Sequence, residues 1–213
     1  AFEEWLTDKN IRYADDQQVR VPARWMAIKA GLGSIGRNNF FYDKQHGSWV
    51  IIETWLIDKA VENSPIAAAV IPYDTCPPDC NRCLSACPTQ ALAEPFRTNP
   101  INCVTRQTYG LEHNGLAPES IRSQLGYSIY GCDICQIACP YNKGITNEGQ
   151  TAIDPELAYP ELQPFIQLSN QEFKAKFSEI AGSWRGKNVL QRNAIYVLAN
   201  VNDKTAIPLL EEI

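Results

Sequence analysis

The chain of 213 residues has 45% hydrophobic and 20% charged residues, and its formal net charge is −5. This composition is typical of a soluble globular protein, and no apolar run approaches the roughly 20 residues that a membrane-spanning helix needs. The acidic balance does not indicate a nucleic-acid binder, although a local basic patch on an acidic body is compatible with one. No export leader is recognisable, so we expect a cytoplasmic protein without membrane contact.

The first third of the chain mixes helix and strand patterns. Residues 1–9 carry Phe, Trp and Leu at helical spacing, and Pro22 precedes a second helix that ends near Gly31. The following "GSIGRNNF" is rich in Gly and Asn, which is typical of a loop. The best strand pattern covers 48–58, with its odd-numbered residues on one side, and a further short strand is expected at 67–72.

Three amphipathic helices are predicted at the end of the chain. They correspond to "SNQEFKAKFSEIAG", "GKNVLQRNAIYVLANV" and "DKTAIPLLEEI". Helix pairs at this spacing resemble HEAT-type repeats, although fewer than two complete repeat units are visible.

The eight cysteines stand in two short runs and at one isolated position. The first run is Cys76, Cys80, Cys83 and Cys87, the second is Cys132, Cys135 and Cys139, and Cys103 lies between them. Both runs end in Cys-Pro after an x3 spacer, as in the ferredoxin pattern C-x2-C-x2-C-x3-C-P, whose fourth cysteine ligates the other of two clusters. In the absence of an export leader the thiols stay reduced, which favours metal ligation over disulfides.

This pattern predicts two [4Fe–4S] clusters for which the runs exchange their last cysteines. The first cluster takes Cys76, Cys80, Cys83 and Cys139, and the second takes Cys87, Cys103, Cys132 and Cys135. The alternative is a pair of structural zinc sites, since C-x2-C pairs also hold zinc. Zinc sites have no need for a repeated x3-C-P ending, so the spacing favours the two clusters.

Together these patterns predict an α+β protein in three parts. We expect a small α/β region at 1–72, a ferredoxin-like double [4Fe–4S] segment at 73–150, and a helical, HEAT-like tail at 151–213.

Several phrases occur in an order that resembles the epoxyqueuosine reductase family. They are "RWMAIKAGLGSIGRNNF", "GSW", "CLSACPTQAL", "NCVTRQT", "LGYSIYGCDICQIACPYN" and "VLQRNAIYVLAN". The resemblance implies a cobalamin-dependent iron–sulfur oxidoreductase that reduces epoxyqueuosine to queuosine at the wobble position of tRNA. It also implies that 1–72 is part of a cobalamin-binding region. An external electron donor, such as a flavodoxin or a ferredoxin, would supply the electrons.

The resemblance also points to individual site residues. Asp16 is the candidate proton donor, although the register of the family's Asp-Thr-Ala-Pro phrase falls on Gln17 in this sequence. Asn39 and Ser48 are candidates for hydrogen bonds to corrin amides, and Tyr130 is a candidate to pack over a cluster or the corrin. The alternatives are a solvated turn for Asp16, ordinary turn chemistry for Asn39 and Ser48, and a core position for Tyr130.

Departures from the family pattern keep a second hypothesis open. Besides the donor phrase, the family's N-terminal region is missing from the sequence, and the usual Gly-Lys-Asn-Thr is "GRNN". These points are compatible with a paralogue that has another substrate, with a fragment, or with a non-catalytic ferredoxin-like electron-transfer module.

Overall fold

The computed structural model describes residues 2–15, 18–60, 76–111, 115–145 and 154–212. Short helices and two small sheets make up these ranges, so the predicted mixture of helix and strand is confirmed. The helices are α1 (Phe2–Asp8), α2 (Ala23–Lys29), α3 (Arg82–Ala86), α4 (Val104–Tyr109), α5 (Glu119–Arg122), α6 (Ile134–Ile137), α7 (Pro155–Ala158), α8 (Leu162–Gln167), α9 (Asn170–Phe177), α10 (Lys187–Asn200) and α11 (Ile207–Glu211). The strands are β1 (Tyr13–Asp15), β2 (Gly33–Ile35), β3 (Phe41–Asp43) and β4 (Trp55–Ile57). Within the described ranges, no helix has the length and apolar character to cross a bilayer.

One antiparallel sheet joins β1 to β4, with Ala14 opposite Leu56. Helix α1 is attached to this sheet, because the indole N–H of Trp55 donates to a Glu3 carboxylate oxygen at 3.1 Å. Leu6 is the fully buried residue of α1. The predicted N-terminal helix is therefore confirmed.

The second sheet is an antiparallel hairpin of β2 and β3, with Ser34 opposite Tyr42. A side chain at Gly33 would place its Cβ 2.0 Å from the carbonyl oxygen of Tyr42, so the close pairing requires glycine. The prediction of a loop over "GSIGRNNF" is wrong for its first three residues, Gly33–Ile35, which form β2. Burial of Ile35 against Ile28 of α2 and its neighbours favours the strand over the local turn propensity.

The long strand predicted at 48–58 is also wrong, because only its last part forms β4. Val50 and Ile52 pack against the α2–β3 core, whereas Ile51, on the other side of the predicted strand, is 91% exposed. No strand of the described ranges pairs with the residues before β4. The second predicted strand, 67–72, lies outside the described residues.

The C-terminal helices enclose a core of their own. Phe165 of α8, Phe173 of α9 and Leu190 of α10 meet there, and all three are buried. Helix α9 begins with a capping box in which the Ser169 hydroxyl accepts from the Glu172 backbone N–H and the Glu172 carboxylate accepts from Ser169 N–H. The three predicted helices correspond to α9, α10 and α11. Helix α8 was missed because its internal proline argues against a helix.

Helix α10 joins this core to the cysteine segment. Asn193 is 1% exposed, and its side-chain N–H groups donate to the carbonyl oxygens of Thr108 at 2.8 Å and Ile129 at 2.6 Å. The guanidinium of Arg192 donates to the carbonyl oxygen of Gln107 at 2.9 Å. These bonds satisfy buried backbone groups that would otherwise be costly, so α10 fixes the position of α4.

Replacing Asn193 with alanine should therefore destabilise the protein. The carbonyl groups of Thr108 and Ile129 lose the donor that Asn193 supplies, and we expect the free energy of unfolding to fall by about 2 kcal/mol. Chemical denaturation of Asn193→Ala under anaerobic conditions measures this change. Asn170→Ala, at the exposed first position of α9, is the matched control and should change stability by less than about 0.5 kcal/mol. Equal stabilities of the two variants would contradict the role given to Asn193.

Candidate metal centres

Cysteines from both runs line one cavity, here called the first cage. Its thiols belong to Cys76, Cys80, Cys83 and Cys139. Arg37, Asn38 and Tyr42, from the β2–β3 hairpin, line the same cavity. These four cysteines are the set predicted for the first cluster.

The remaining four cysteines line a second cavity, here called the second cage. They are Cys87, Cys103, Cys132 and Cys135. This cavity measures about 440 Å³ and extends past the thiols to Arg24, Asn39, Thr98 and Thr105. It therefore has room for a further ligand beside a cluster bound by the four cysteines.

The Cys-Pro steps explain how the runs exchange ligands. Helix α3 ends just before Cys87, which has an extended backbone (φ −67°, ψ 113°). Cys139, after α6, is extended in the same way (φ −76°, ψ 127°). A following proline disfavours the helical conformation of the residue before it. Each last cysteine thus leaves the helix of its own run, and since α3 and α6 are in contact, its thiol reaches the opposite cage.

The thiols of each cage influence one another. Burial first, and then the nearby thiols of Cys76 and Cys139, raise the pKa of Cys83 to about 11. Burial raises the pKa of Cys135 to about 12, with contributions first from Cys132 and other thiols of its cage and then from Cys83 across the cage boundary. Partly buried thiolates that repel one another need a compensating cation, as in a metal centre.

The donor set of both cages consists of thiols. No imidazole or carboxylate lines either cavity in the described part of the chain, and iron–sulfur clusters are held in this way by four cysteines. Each thiolate of a cubane binds a different iron atom, so the ligands of a cubane stand farther apart than those of one ion. Over the described ranges, no three His, Cys, Asp or Glu side chains are grouped around a single metal ion.

Three residues of the β2–β3 hairpin belong to the site and were missed from the sequence. The backbone N–H of Arg37 donates to the Cys76 sulfur at 3.2 Å. Asn38 lines both cages, and its side-chain N–H groups donate to the Tyr42 hydroxyl at 2.8 Å and to the Cys135 carbonyl oxygen at 3.2 Å. The signal for these residues was the glycine-rich loop before β3, whose glycines allow close approach.

The predicted corrinoid residues lie in different places of the described structure. Asn39 lines the second cage in a left-handed conformation (φ 65°), and the Arg24 guanidinium donates to its side-chain oxygen at 3.1 Å. Asn39 is thus at the part of the cavity that extends past the cysteines. Asp16 lies outside the described residues.

Ser48 is buried, with 5% exposure, inside a polar network that connects the β3 side to α6. Its hydroxyl donates to the Gln136 side-chain oxygen at 2.7 Å and accepts from the Asn142 side chain at 2.7 Å. These bonds give Ser48 a structural contact beside the first cage, and its contact with a corrinoid stays a prediction.

Tyr130 lies behind the second cage in an aromatic group. Its ring stacks on Tyr109 at 5.2 Å, and its hydroxyl accepts from the Trp184 indole N–H at 2.7 Å. Burial and Tyr130 raise the pKa of Tyr109 to about 12, and the Cys103 thiol contributes to this shift, which places the group next to a cage ligand. Packing of Tyr130 over a bound cofactor stays a prediction.

Known proteins match this arrangement. A family model for a "4Fe-4S double cluster binding domain" matches residues 75–142. The epoxyqueuosine reductase of Lactococcus garvieae is 42% identical over 190 residues, which cover 88% of this chain and 52% of that protein. A solved structure of epoxyqueuosine reductase from Bacillus subtilis superposes with a TM-score of 0.86 at 36% identity, over 99% of this chain and 55% of that one. A crystal structure of epoxyqueuosine reductase with an epoxyqueuosine-modified tRNA stem loop superposes with a TM-score of 0.84 at 36% identity, with the same coverage.

The chain belongs to the epoxyqueuosine reductase family. It spans about half the length of the family members that it matches. As in this family, its cysteine segment is an iron–sulfur cluster-binding region, and the resemblance seen in the sequence is confirmed.

Removing single cysteines tests the distribution of ligands between the cages. We expect Cys139→Ala and Cys80→Ala to lose the same cluster, although they belong to different runs, and Cys103→Ala to lose the other one. Iron per chain should fall from about eight to about four, because each cubane holds four irons. Iron analysis and EPR of the reduced, anaerobically reconstituted proteins measure this.

Ser85→Ala, on the exposed side of α3, is the matched control and should keep both EPR signals. If Cys139→Ala lost the signal that Cys103→Ala also loses, the exchanged pairing would be wrong.

Proposed function

We propose that this protein is an epoxyqueuosine reductase that reduces epoxyqueuosine in tRNA to queuosine with two [4Fe–4S] clusters and cobalamin. The observation that carries the proposal is the pair of adjacent four-cysteine cages, one of which continues into a cavity of about 440 Å³. Similarity to the reductase that was crystallised with a modified tRNA stem loop supports the substrate.

The cages are close enough to form a short path for electrons. The thiols of Cys83 and Cys135 belong to different cages and still influence each other electrostatically. Asn38 lies between the cages and contacts both. Electrons from an external donor, such as a flavodoxin or a ferredoxin, would therefore pass from the first cage to the second and on to the cavity.

The cavity beside the second cage is the proposed binding place of the corrinoid. Cobalamin is larger than this cavity, so Arg24, Asn39, Thr98 and Thr105 would cover one side of it. Because the Asn39 side-chain oxygen accepts from Arg24, its amide N–H groups remain to donate to an acceptor such as a corrin side-chain amide. When bound, cobalamin supplies a strongly nucleophilic cobalt for opening of the epoxide. Asp16 is the proposed donor of the proton to the oxygen that leaves.

The parts of the chain divide this work in our proposal. Residues 1–72 contribute to the corrinoid site, 73–150 hold the clusters, and the tail at 151–213 is a HEAT-like helical unit that faces the tRNA. The packing of α10 between α8 and α4 supports a fixed orientation of the tail relative to the clusters.

A binding and turnover assay tests the proposal. The reconstituted protein should contain about eight irons per chain, bind cobalamin with a change in its visible spectrum, and convert a tRNA stem loop that carries epoxyqueuosine when a reductant is added. Asn39→Gly keeps the left-handed backbone but removes the amide, and we expect it to weaken cobalamin binding about tenfold, as loss of one or two hydrogen bonds would.

Asn10→Gly is the matched control, because Asn10 is also left-handed (φ 53°) but lies at the exposed end of α1. It should bind cobalamin like the wild type. Two reducible clusters without cobalamin binding or turnover would contradict the proposal and favour the electron-transfer module. The presence of Gln17 at the position of the family's proton donor also favours that alternative.

A further inference from the structure

Tyr42 is a buried tyrosine in the wall of the first cage. It is 4% exposed and lies at the centre of β3. A side chain at Gly36 would place its Cβ 2.5 Å from the Tyr42 ring, so the turn before β3 leaves room for this ring only because glycine is there. Tyr42 and Cys139, a cysteine of this cage, line the same cavity. Burial and the nearby Cys139 thiol raise the pKa of Tyr42 above its ordinary range.

The neighbouring donors determine which way the Tyr42 hydroxyl can donate. Asn38 donates a side-chain N–H to the Tyr42 oxygen at 2.8 Å, and the Asn38 oxygen accepts from the backbone N–H of Phe40 at 3.2 Å. The Tyr42 oxygen is therefore an acceptor towards Asn38, and its own proton is left for another partner.

The second nearby hydroxyl, that of Ser48, has its proton committed elsewhere. Gln136 donates its side-chain N–H to Asp133 at 2.6 Å, so the Gln136 oxygen faces Ser48 and accepts its proton at 2.7 Å. Asn142 donates to the Ser48 oxygen from the other side at 2.7 Å. A hydrogen bond from the Tyr42 hydroxyl then stabilises the Cys139 sulfur most, because a ligand thiolate carries negative charge.

The same hairpin supplies a further donor to this cage, since the Arg37 backbone N–H points at the Cys76 sulfur at 3.2 Å. Hydrogen bonds to cysteine sulfur stabilise the reduced, more negative form of a cluster and so raise its reduction potential. In the second cage the Cys87 sulfur has the Thr89 hydroxyl at a longer 3.7 Å. The β2–β3 hairpin thus donates to a sulfur of the first cage, whereas its bond to the second cage goes to the carbonyl oxygen of Cys135.

We propose that Tyr42 is a tuning residue whose hydroxyl donates to the Cys139 thiolate and raises the reduction potential of the first cluster. This inference rests on the proposed assignment of Cys139 to that cluster. The hydrogen bond makes the first cluster a better electron acceptor than its cysteines alone would make it. The hairpin thereby sets the order in which the clusters are reduced.

Redox titration followed by EPR tests the inference in the reconstituted protein. Tyr42→Phe keeps the ring and removes the hydroxyl, and we expect the potential of one cluster to fall by about a tenfold change in its reduction equilibrium, ~59 mV for one electron. The potential of the other cluster should stay the same. Tyr141→Phe is the matched control, because Tyr141 lines the same cage, half exposed, with its ring 6.4 Å from that of Tyr42. It should leave both potentials unchanged.

A second variant keeps the test decisive if Tyr42→Phe does not retain its clusters. Incorporation of 2,3-difluorotyrosine at position 42 preserves the hydroxyl but makes it a stronger donor, so the same potential should rise. Unchanged potentials in a variant that holds about eight irons would overturn the inference and leave the proposed function standing. If Cys139→Ala kept both clusters, the cluster assignment itself would fail, and the inference would fail with it.

Discussion

The thiols of each cage lie close together in surroundings where burial disfavours their charged form. The raised pKa values of Cys83 and Cys135 express this cost, which single thiolates would not overcome without a positively charged partner. Cluster binding and local folding of residues 76–111 and 115–142 are therefore coupled, since the ligands must lose their protons and come together at once. The exchange of Cys87 and Cys139 adds a topological consequence, because neither run can complete its cage without the other.

Two other parts of the molecule hold this arrangement in place. The β2–β3 hairpin covers the cages from one side with Arg37, Asn38 and Tyr42, and Asn38 contacts both cages. On the other side, α10 ties the cysteine segment to the C-terminal core through Asn193. Elements that lie far away in sequence thus hold the cages in place, which favours electron transfer between fixed positions.

The grouping of the cysteines could be predicted because spacing along the chain indicates it, whereas their ligation of clusters stays a prediction. The x3-C-P endings indicated that Cys87 and Cys139 change partners, and the cavities group the thiols as that pattern predicts. The hairpin residues escaped prediction because their role depends on tertiary contact: Ile35 forms a strand through burial against α2, and Asn38 reaches Cys135 from 97 positions away. The alternation in 48–58 misled for the same reason, since an apolar pattern does not form a strand without a neighbour to pair with.

Iron anomalous diffraction from crystals of the reconstituted protein tests the central claim most directly. The account predicts two groups of four irons per chain, with the Cys139 sulfur bound to the group that Cys76, Cys80 and Cys83 hold, and the Cys87 and Cys103 sulfurs bound to the other. An iron group bound by Cys76, Cys80, Cys83 and Cys87 together, or Cys103 without an iron neighbour, would contradict it.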